Sequence, residues 1–367
     1  MACPLLLPAG GGAGRSGPSP GCGRVELYAD VTKLIGNRLL GAIPNIISVI
    51  IVTFLVSRAL PGDPAVFYAG PAANAESIAQ VRHNLGLDKS LPQQFLAYIG
   101  DLVQGDLGTS LNSGQPVLVD IGNRLPASLE LTFFALIFAV ALGLPLGVWA
   151  ATRPNSLVDH FCRASVTLGA ALPTFFVGLL LIYVFYFLLG IAPSPLGRLD
   201  IIYIAPPPVT GFYTVDALIA GDMEVFRAAL SQLVLPAISL GLFALAPIAR
   251  MTRAAMLAAM SGDYVRTARA SGLSRRTVVF TYALRNAMLP VLNIMGMVFS
   301  FLLGANVLVE QVFGWPGIGS YAVEAVLTSD YAAVQGFVLT MALLYVALNL
   351  VVDVMNTVVD PRVRYES

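Results

Sequence analysis

Long apolar runs recur along the chain from residue 39 onward and set its predicted architecture. Six of these runs are close to the roughly 20 residues that a helix needs to cross a bilayer. The predicted spans are Leu39–Ser57, Leu131–Ala150, Ser165–Leu189, Leu233–Ala249, Leu289–Leu308 and Val334–Val352. Several contain proline, which membrane helices tolerate where neighbouring helices satisfy the freed backbone groups. The pattern predicts an all-α membrane protein with six transmembrane helices.

Composition excludes the alternative of buried helices in a soluble protein. The 367 residues are 57% hydrophobic and 11% charged, with a mean hydropathy of +0.78. A soluble domain carries about 25% charged residues, so most of this surface must face lipid. Net charge is zero and the pI is near 6.7, so the chain has no basic footprint for nucleic acid.

The distribution of lysine and arginine predicts the orientation. With the N-terminus inside, 15 of the 21 lysines and arginines fall in cytosolic segments and 6 fall outside. Positive residues concentrate on the cytosolic side of membrane proteins. Both termini are therefore predicted to be cytosolic.

The chain divides into four predicted parts. Residues 1–32 are a Gly- and Pro-rich tail, read as disordered, and for residues 1–24 a wrongly chosen start codon is an alternative. Residues 25–38 could form a helix on the inner membrane surface. Residues 33–128 hold the first span and an extracytoplasmic segment, residues 129–357 the other five spans, and residues 358–367 a cytosolic tail.

Two external segments have readable patterns. In the first, Leu91–Leu107 is predicted to be helical because Phe95, Tyr98, Ile99 and Leu102 recur at helical spacing, which indicates a small external cap. The second, Ile191–Phe226, is Pro-rich and is predicted to be an ordered loop.

The cytosolic loop 261–290 combines charge with helix signals. It holds five arginines between two apolar segments, and topology alone would account for that charge. Topology does not account for the capping pattern. Asp263 is predicted to cap a first helix, Gly272 to close it in the left-handed conformation, and Ser274 to cap a second helix.

Two further sets of residues each have two readings. Asn293, Ser300 and Gly304 share one stripe of the fifth span, where small and polar residues either pack helices or line a wet path. The segment Trp315-Pro316-Gly317-Ile318-Gly319 is either an interfacial tryptophan beside a turn or part of an external gate. Both readings stay open for each set.

Several residue types are too scarce for other chemistry. The only lysines are Lys33 and Lys89, neither of which follows a glycine, so no Walker A loop exists and any ATP must bind to another chain. The three cysteines and two histidines have no metal-site spacing, so no metal or cofactor is expected on this chain.

The competing class is a secondary transporter or channel that works alone. Such a carrier usually keeps ionisable residues near the midplane. The acidic residues Glu130, Glu310 and Asp353 are instead expected at span ends, close to water. A membrane-embedded enzyme would need a catalytic constellation, such as an H-E-x-x-H helix, that the sequence lacks.

The loop 261–290 resembles the cytosolic EAA loop of ABC importer permeases. The first pattern residues Glu-Ala-Ala read Arg266-Thr267-Ala268 here, followed by Gly272. The form Tyr-x-Arg-Thr-Ala-Arg-Ala-x-Gly-Leu, here Tyr264–Leu273 and including Arg269, is similar to the peptide-importer branch. Arg38–Pro64, Val307–Gly336 and Asn349–Arg364 resemble other parts of the same branch, so the resemblance covers residue 33 to the C-terminus.

This resemblance implies the permease subunit of a type I ABC importer, in the first-permease branch of the dipeptide, oligopeptide and nickel family. It further implies an inner-membrane location, a second homologous permease, two cytosolic ATPase subunits that bind ATP and magnesium, and an extracytoplasmic binding protein. The helix Asp263–Gly272 would contact the ATPases through Tyr264, Arg266, Thr267, Ala268, Arg269, Gly272 and Leu273. The substrate stays open among dipeptides, oligopeptides, glutathione, opines and nickel complexes.

Overall fold

Helices account for nearly all regular structure in the residues that the computed structural model describes, 22–59, 63–70 and 72–359. The predicted disordered tail falls partly outside this range, at residues 1–21, and its remainder belongs to a helix that begins at Cys22. Most of the predicted C-terminal tail, residues 360–367, also lies outside. The helices are α1 Cys22–Ala59, α2 Pro64–Ala69, α3 Ala75–Asn84, α4 Leu91–Val103, α5 Val117–Thr152, α6 Leu157–Ala171, α7 Thr174–Leu181, α8 Tyr213–Ala220, α9 Met223–Ser261, α10 Asp263–Ala270, α11 Arg275–Thr277, α12 Arg285–Val312, α13 Ile318–Leu327 and α14 Tyr331–Val359.

Five helices of the described chain are long and apolar enough to cross a membrane. They include the predicted first, second, fourth, fifth and sixth spans, and lie at Leu40–Arg58, Val117–Thr152, Met223–Ser261, Arg275–Val312 and Tyr331–Met355. Arg275–Val312 joins α11 to α12 through a π-helical turn at Val278–Leu284. The all-α prediction is confirmed for these segments.

The third predicted span is not one continuous helix. It separates into α6 and α7, the latter extended by a π-helical turn at Ile182–Leu188. The break lies at Leu172, whose φ of −94° and ψ of 133° are extended. Pro173 causes it, because a proline ring disfavours helical geometry in the preceding residue. The prolines within α5, α9 and α12 do not break their helices.

The two pieces still follow α9 along much of its length in the antiparallel sense. Asp159 of α6 contacts Arg253, and the Thr174 carbonyl at the start of α7 accepts a 2.7 Å hydrogen bond from the Ser239 hydroxyl. From the first of these contacts to the second, the residue number rises along α6 and α7 and falls along α9. The two pieces therefore pack on α9 as one antiparallel element that is interrupted at Leu172.

The centre of the fold is the contact between α5 and α9, where small residues allow close approach. A Cβ added at Gly147 would lie 2.5 Å from the Thr252 Cβ and 2.8 Å from the Ala249 carbonyl oxygen. A Cβ at Gly241 would lie 2.9 Å from the Ala135 carbonyl oxygen. Small residues at such interfaces let membrane helices gain van der Waals contact where no hydrophobic effect drives association.

A small cap lies beyond the end of α1, as predicted. The α4 residues Phe95 and Tyr98 pack on Phe54 of α1, with ring centroids 5.1 and 5.9 Å apart. The predicted apolar stripe of this helix is its half-buried face. The helix begins at Leu91 as predicted and ends at Val103, four residues before the predicted boundary.

The second external segment is more helical than predicted. The Pro-rich part from Ile191 to Phe212 is irregular, but α8 follows it and the long helix α9 already begins at Met223. Gly221, with a φ of 73°, closes α8, and the Asp222 side chain caps α9 by accepting from the N–H groups of Glu224 and Val225. The Pro-rich composition led to the prediction of a loop, although Gly221 and Asp222 mark the end of one helix and the start of the next.

We expect Gly147→Ala to destabilise the fold because its methyl group would overlap Thr252 and the α9 backbone. Overpacking of this kind typically costs about 1–3 kcal/mol. Gly122→Ala is the matched control, because it lies in the same helix with no atom within 4 Å of its added Cβ. The midpoint of thermal unfolding in detergent should fall for Gly147→Ala only. Equal midpoints for both variants would contradict the close α5–α9 contact.

Candidate functional site

The cytosolic loop forms the predicted helix–turn–helix, with one correction at its start. Gly262 is the N-cap residue of α10, and Asp263, which was predicted to cap it, is the first helical residue. Asp263 lies 3.5 Å from Arg266 one turn later, and both side chains are largely exposed. At that position Asp263 still favours the helix, through the positive end of the helix dipole.

The C-terminal end of α10 closes as predicted. Gly272 has a φ of +76°, the left-handed conformation that a side chain disfavours. Its N–H donates to the Arg269 carbonyl at 3.0 Å, and the Leu273 N–H donates to the Ala268 carbonyl at 3.3 Å. This pair of bonds is a Schellman motif. Ser274 then caps α11 by accepting from the Thr277 N–H, also as predicted.

The buried face of α10 rests on its own chain. Val265 is fully buried and Ala268 is 5% exposed. They pack in one cluster with the C-terminal ends of α5 and α9 and with the segment after α11, through Val148, Ala151, Met256, Ala259, Val278, Val279, Ala283 and Ala287. The expectation that Ala268 faces a partner protein is therefore wrong: it faces the interior.

The opposite face of α10 is exposed in this chain. It carries the predicted contact residues Tyr264, Arg266, Thr267 and Arg269, and the exposed residues Gly272 and Leu273 follow the end of the helix. Two arginines within one turn make this face cationic. The predicted site thus consists of six exposed residues and one buried residue, Ala268.

Two polar contacts fix the surroundings of α10. The Arg275 guanidinium donates to the Thr152 carbonyl at 3.1 Å, which satisfies an orphan carbonyl at the end of α5. Arg253 of α9 holds Asp159 of α6 in a two-point ion pair, with Nε–Oδ1 at 2.7 Å and Nη2–Oδ2 at 2.8 Å. Each contact joins two separate segments of the chain.

Asp159 is a residue that sequence reasoning missed. Its side chain is fully buried, and it also accepts from the Asn155 N–H at 3.0 Å. The Arg253 guanidinium, through its two-point contact, is the principal partner of this carboxylate. Its position at N3 behind the Ser156 cap was readable as a helix start, but no local pattern pointed to a partner 94 residues away.

The predicted stripe on the fifth span lies on α12. Asn293 and Gly304 are exposed in this chain, and Ser300 is half-buried with its hydroxyl donating to the Gly296 carbonyl. Nothing lies within 4 Å of a Cβ built at Gly304. Gly304 therefore does not serve close packing inside this chain, and a contact with another subunit or a wet path remains for it.

The Trp-Pro-Gly-Ile-Gly segment is buried, apart from Pro316. Trp315 is 1% exposed, and its Nε1–H donates to the Ala127 carbonyl at 3.0 Å. A side chain this enclosed does not anchor at the lipid headgroups, so the interfacial reading of Trp315 is wrong. A Cβ on Gly317 would overlap the Glu310 carboxylate, and one on Gly319 would lie 2.8 Å from the Val307 Cα. Both glycines therefore allow α13 to approach α12.

Glu310 is the centre of this segment, and the expectation that it lies close to water is wrong. Its side chain is fully buried. The carboxylate accepts from the Ser128 hydroxyl and, at 2.8 Å, from the Ser320 N–H. Ser128 in turn accepts from the Ile318 N–H at 2.8 Å. The network joins α5, α12 and α13.

Glu130 is buried as well, which corrects the same expectation. Arg198, in the Pro-rich external segment, contacts it with Nη2–Oε2 at 2.6 Å, and both side chains are almost fully enclosed. Thr214 donates to Glu130 from its N–H and its hydroxyl, and the Arg198 guanidinium lies 3.6 Å from the Tyr213 ring centroid. The Pro-rich segment is therefore tied to α5 within the first half of that helix.

Comparison with known proteins agrees with this architecture. Residues 143–365 match the family described as binding-protein-dependent transport system inner membrane component, and residues 31–132 match its N-terminal counterpart. The chain therefore belongs to the inner-membrane permeases of type I ABC importers.

Individual relatives cover nearly the whole chain. The probable D,D-dipeptide transport system permease protein DdpB of Escherichia coli K12 is 43% identical, over 90% of this chain and 97% of that protein. The di/tripeptide transport system permease protein DppB of Pseudomonas aeruginosa UCBPP-PA14 is also 43% identical, over 91% of this chain and 99% of that protein. An inward-facing structure of the MetNI methionine ABC transporter aligns with a TM-score of 0.49 and 19% identity, over 66% of this chain and 96% of that chain.

We expect Asp159→Asn to lower the thermal unfolding midpoint in detergent, because it removes the charge that Arg253 faces. Hydrogen bonds to a charged group contribute about 1.5–3 kcal/mol. Arg163→Gln is the control: Arg163 also contacts Asp159, at 3.2 Å, but its side chain is half exposed. Exposed pairs contribute little, so this variant should stay near wild type. If the two variants lose the same stability, the Arg253 contact is not the principal one.

Proposed function

We propose that this chain pairs with a second homologous permease and forms with it the translocation path of an ATP-driven importer for di- or oligopeptides. Family membership supports the permease role, and the names of the relatives support the peptide class. An extracytoplasmic binding protein would deliver the substrate. Two cytosolic subunits would bind and hydrolyse ATP.

The observation that carries the coupling proposal is the two-sided character of α10. Its exposed face, with Arg266 and Arg269, is available to an ATPase subunit, and its buried face rests on the ends of α5 and α9. A displacement of α10 would thus be passed to the two helices at the centre of the fold. Coupling between distant sites requires a rigid element of this kind that biases two arrangements.

The six-span topology is part of the same proposal. The broken pair α6 and α7 would count as the third crossing, because it runs alongside α9 from Asp159–Arg253 to Thr174–Ser239. With six crossings and the observed charge bias, both termini are cytosolic. The cap around α4 then lies outside, where a binding protein docks.

The alternative of a secondary transporter or channel is less well supported. The buried carboxylates could have served as coupling-ion sites, but Arg198 neutralises Glu130, and donors from Ser128 and Ser320 occupy Glu310. Both groups thus have structural partners. Family membership favours the importer.

The roles of the remaining predicted residues stay proposals. Asn293, Ser300 and Gly304 would line the path beside the second permease. The external gate would be framed by Trp315, Pro316, Gly317 and Gly319. The burial of Trp315 favours a fixed structural role over movement during gating. The two relatives at 43% identity have different named substrates, so identity alone does not select the peptide.

Cysteine labelling tests the topology. In a background without the native cysteines, Gln104→Cys and Pro207→Cys should react with a membrane-impermeant maleimide in intact spheroplasts. Asn155→Cys and Ser274→Cys should react only after permeabilisation, and all four positions are exposed in this chain. Labelling of 207 and 155 from the same side would show that α6 and α7 do not cross.

Gly272→Val tests the coupling role of α10. A β-branched residue in the left-handed region costs on the order of 1–2 kcal/mol and would redirect the segment that follows. We expect normal membrane insertion but at least tenfold lower uptake and substrate-stimulated ATPase activity in the assembled complex.

Gly272→Asn is the matched control, because asparagine tolerates a positive φ and the space around the added Cβ is open. This variant should keep most of both activities. Wild-type activity for Gly272→Val at equal expression would contradict the proposal. Equal loss for both variants would assign the effect to side-chain volume.

A further inference from the structure

A groove lies between the cytosolic end of α5 and the segment that follows α11, two of the segments that support α10. Its volume is about 700 Å³. One wall is formed by the last turns of α5 and the other by the π-helical turn, with Leu144, Val148, Trp149, Val279, Phe280 and Leu284 as the apolar lining. Trp149 and Phe280 are 50% and 58% exposed, so this apolar surface is open in the chain.

The mouth of the groove is strongly basic. Arg153, Arg275 and Arg276 line it, together with Thr152, and its lining includes no acidic residue. None of the three arginines forms a salt bridge with any other residue in the described part of the chain. Arg275 donates to the Thr152 carbonyl, and Arg153 and Arg276 are exposed. The mouth therefore presents positive charge that this chain does not neutralise.

The lining of the groove changes from apolar side chains to arginines, which matches the order of acyl chain and anionic headgroup in a phospholipid. From Leu144 to Arg153 the α5 axis covers about 14 Å, at 1.5 Å per residue. One leaflet of a bilayer has a hydrocarbon depth of about 15 Å, half of the whole core. The apolar walls thus match the depth of an acyl chain, Trp149 matches the interfacial level that tryptophan favours, and the arginines match the headgroup.

We propose that this groove binds an anionic phospholipid of the inner leaflet. The acyl chain would lie between α5 and Phe280, and the phosphate and anionic headgroup would contact Arg153, Arg275 and Arg276. Basic residues near an anionic leaflet contribute about 1 kcal/mol each, about a fivefold change in affinity. The bound lipid would rest on the same segments that support α10, and so would hold the base of that helix in place.

Trp149 offers a direct readout of this site. The chain has two tryptophans, and Trp315 is 1% exposed in the core. Quenching of Trp149 fluorescence by brominated lipid therefore reports occupancy of the groove. The full chain would be reconstituted in phosphatidylcholine vesicles that contain brominated phosphatidylglycerol or, at the same mole fraction, brominated phosphatidylcholine. We expect at least fivefold preferential quenching by phosphatidylglycerol, and loss of the lipid-dependent signal in Trp149→Phe.

The arginine variants decide whether the groove causes this preference. Arg153→Gln with Arg276→Gln should reduce the preference at least fivefold. Arg153→Gln alone, whose side chain has no described hydrogen bond, should reduce it in part and covers failure of the double variant to fold. Arg250→Gln is the matched control, because Arg250 is exposed near the cytosolic end of α9 but does not line the groove. It should keep the full preference.

Several outcomes would overturn the proposal. Equal quenching by the two lipids in the wild-type chain would show that the groove does not select charge. An unchanged preference in the arginine variants would place the selection elsewhere. Abolition of the preference by excess inorganic phosphate would make the mouth a site for free anions. Absence of quenching by either lipid would mean that a protein surface, such as a second copy of the chain, covers the groove.

Discussion

The close contact between α5 and α9 is the constraint on which the rest of the structure depends. Gly147 and Gly241 bring each backbone against the other helix, and an added methyl group at either position would overlap it. The C-terminal ends of the two helices then pack against the buried face of α10. Further towards its N-terminus, α5 carries Glu130 and also Ser128, whose hydroxyl donates to Glu310. A displacement of α5 would therefore reach both α10 and the two buried carboxylates.

Buried charge ties the less regular segments to this pair. Asp159 and Arg253 hold the start of α6, and Glu130 and Arg198 hold the Pro-rich segment before α8. Removal of one partner from such a pair leaves an uncompensated charge, which is strongly unfavourable. The arrangement thus specifies where α6 and the irregular Pro-rich segment must lie. Glu310 acts similarly on α13, through the backbone N–H of Ser320 and the hydroxyl of Ser128.

Local signals in the sequence were sufficient for the elements but not for their long-range partners. Apolar length located five of the long helices, and the cap residues Gly272 and Ser274 were found because a single residue type marks each conformation. The break at Pro173 was missed because prolines within the other long helices do not interrupt them, so the residue type alone does not locate a break. The burial of Glu130 and Glu310 was missed because Arg198 is 68 residues from Glu130 and Ser128 is 182 residues from Glu310.

The residues of the α10 motif fall into two groups: those that build the helix and those that are exposed on it. Ala268 is small because it packs, with Val265, on the ends of α5 and α9, and Gly272 is glycine because the helix closes there with a positive φ. These two positions build the helix and fix its direction. Arg266, Thr267 and Arg269 do neither, since they project from the exposed face. Specificity for one ATPase partner would therefore lie in the exposed residues, while the efficiency of coupling would depend on the base, since a helix that moves relative to α5 and α9 transmits nothing to them. The lipid groove beside Trp149 adjoins that base and would influence coupling without any contact with the ATPase.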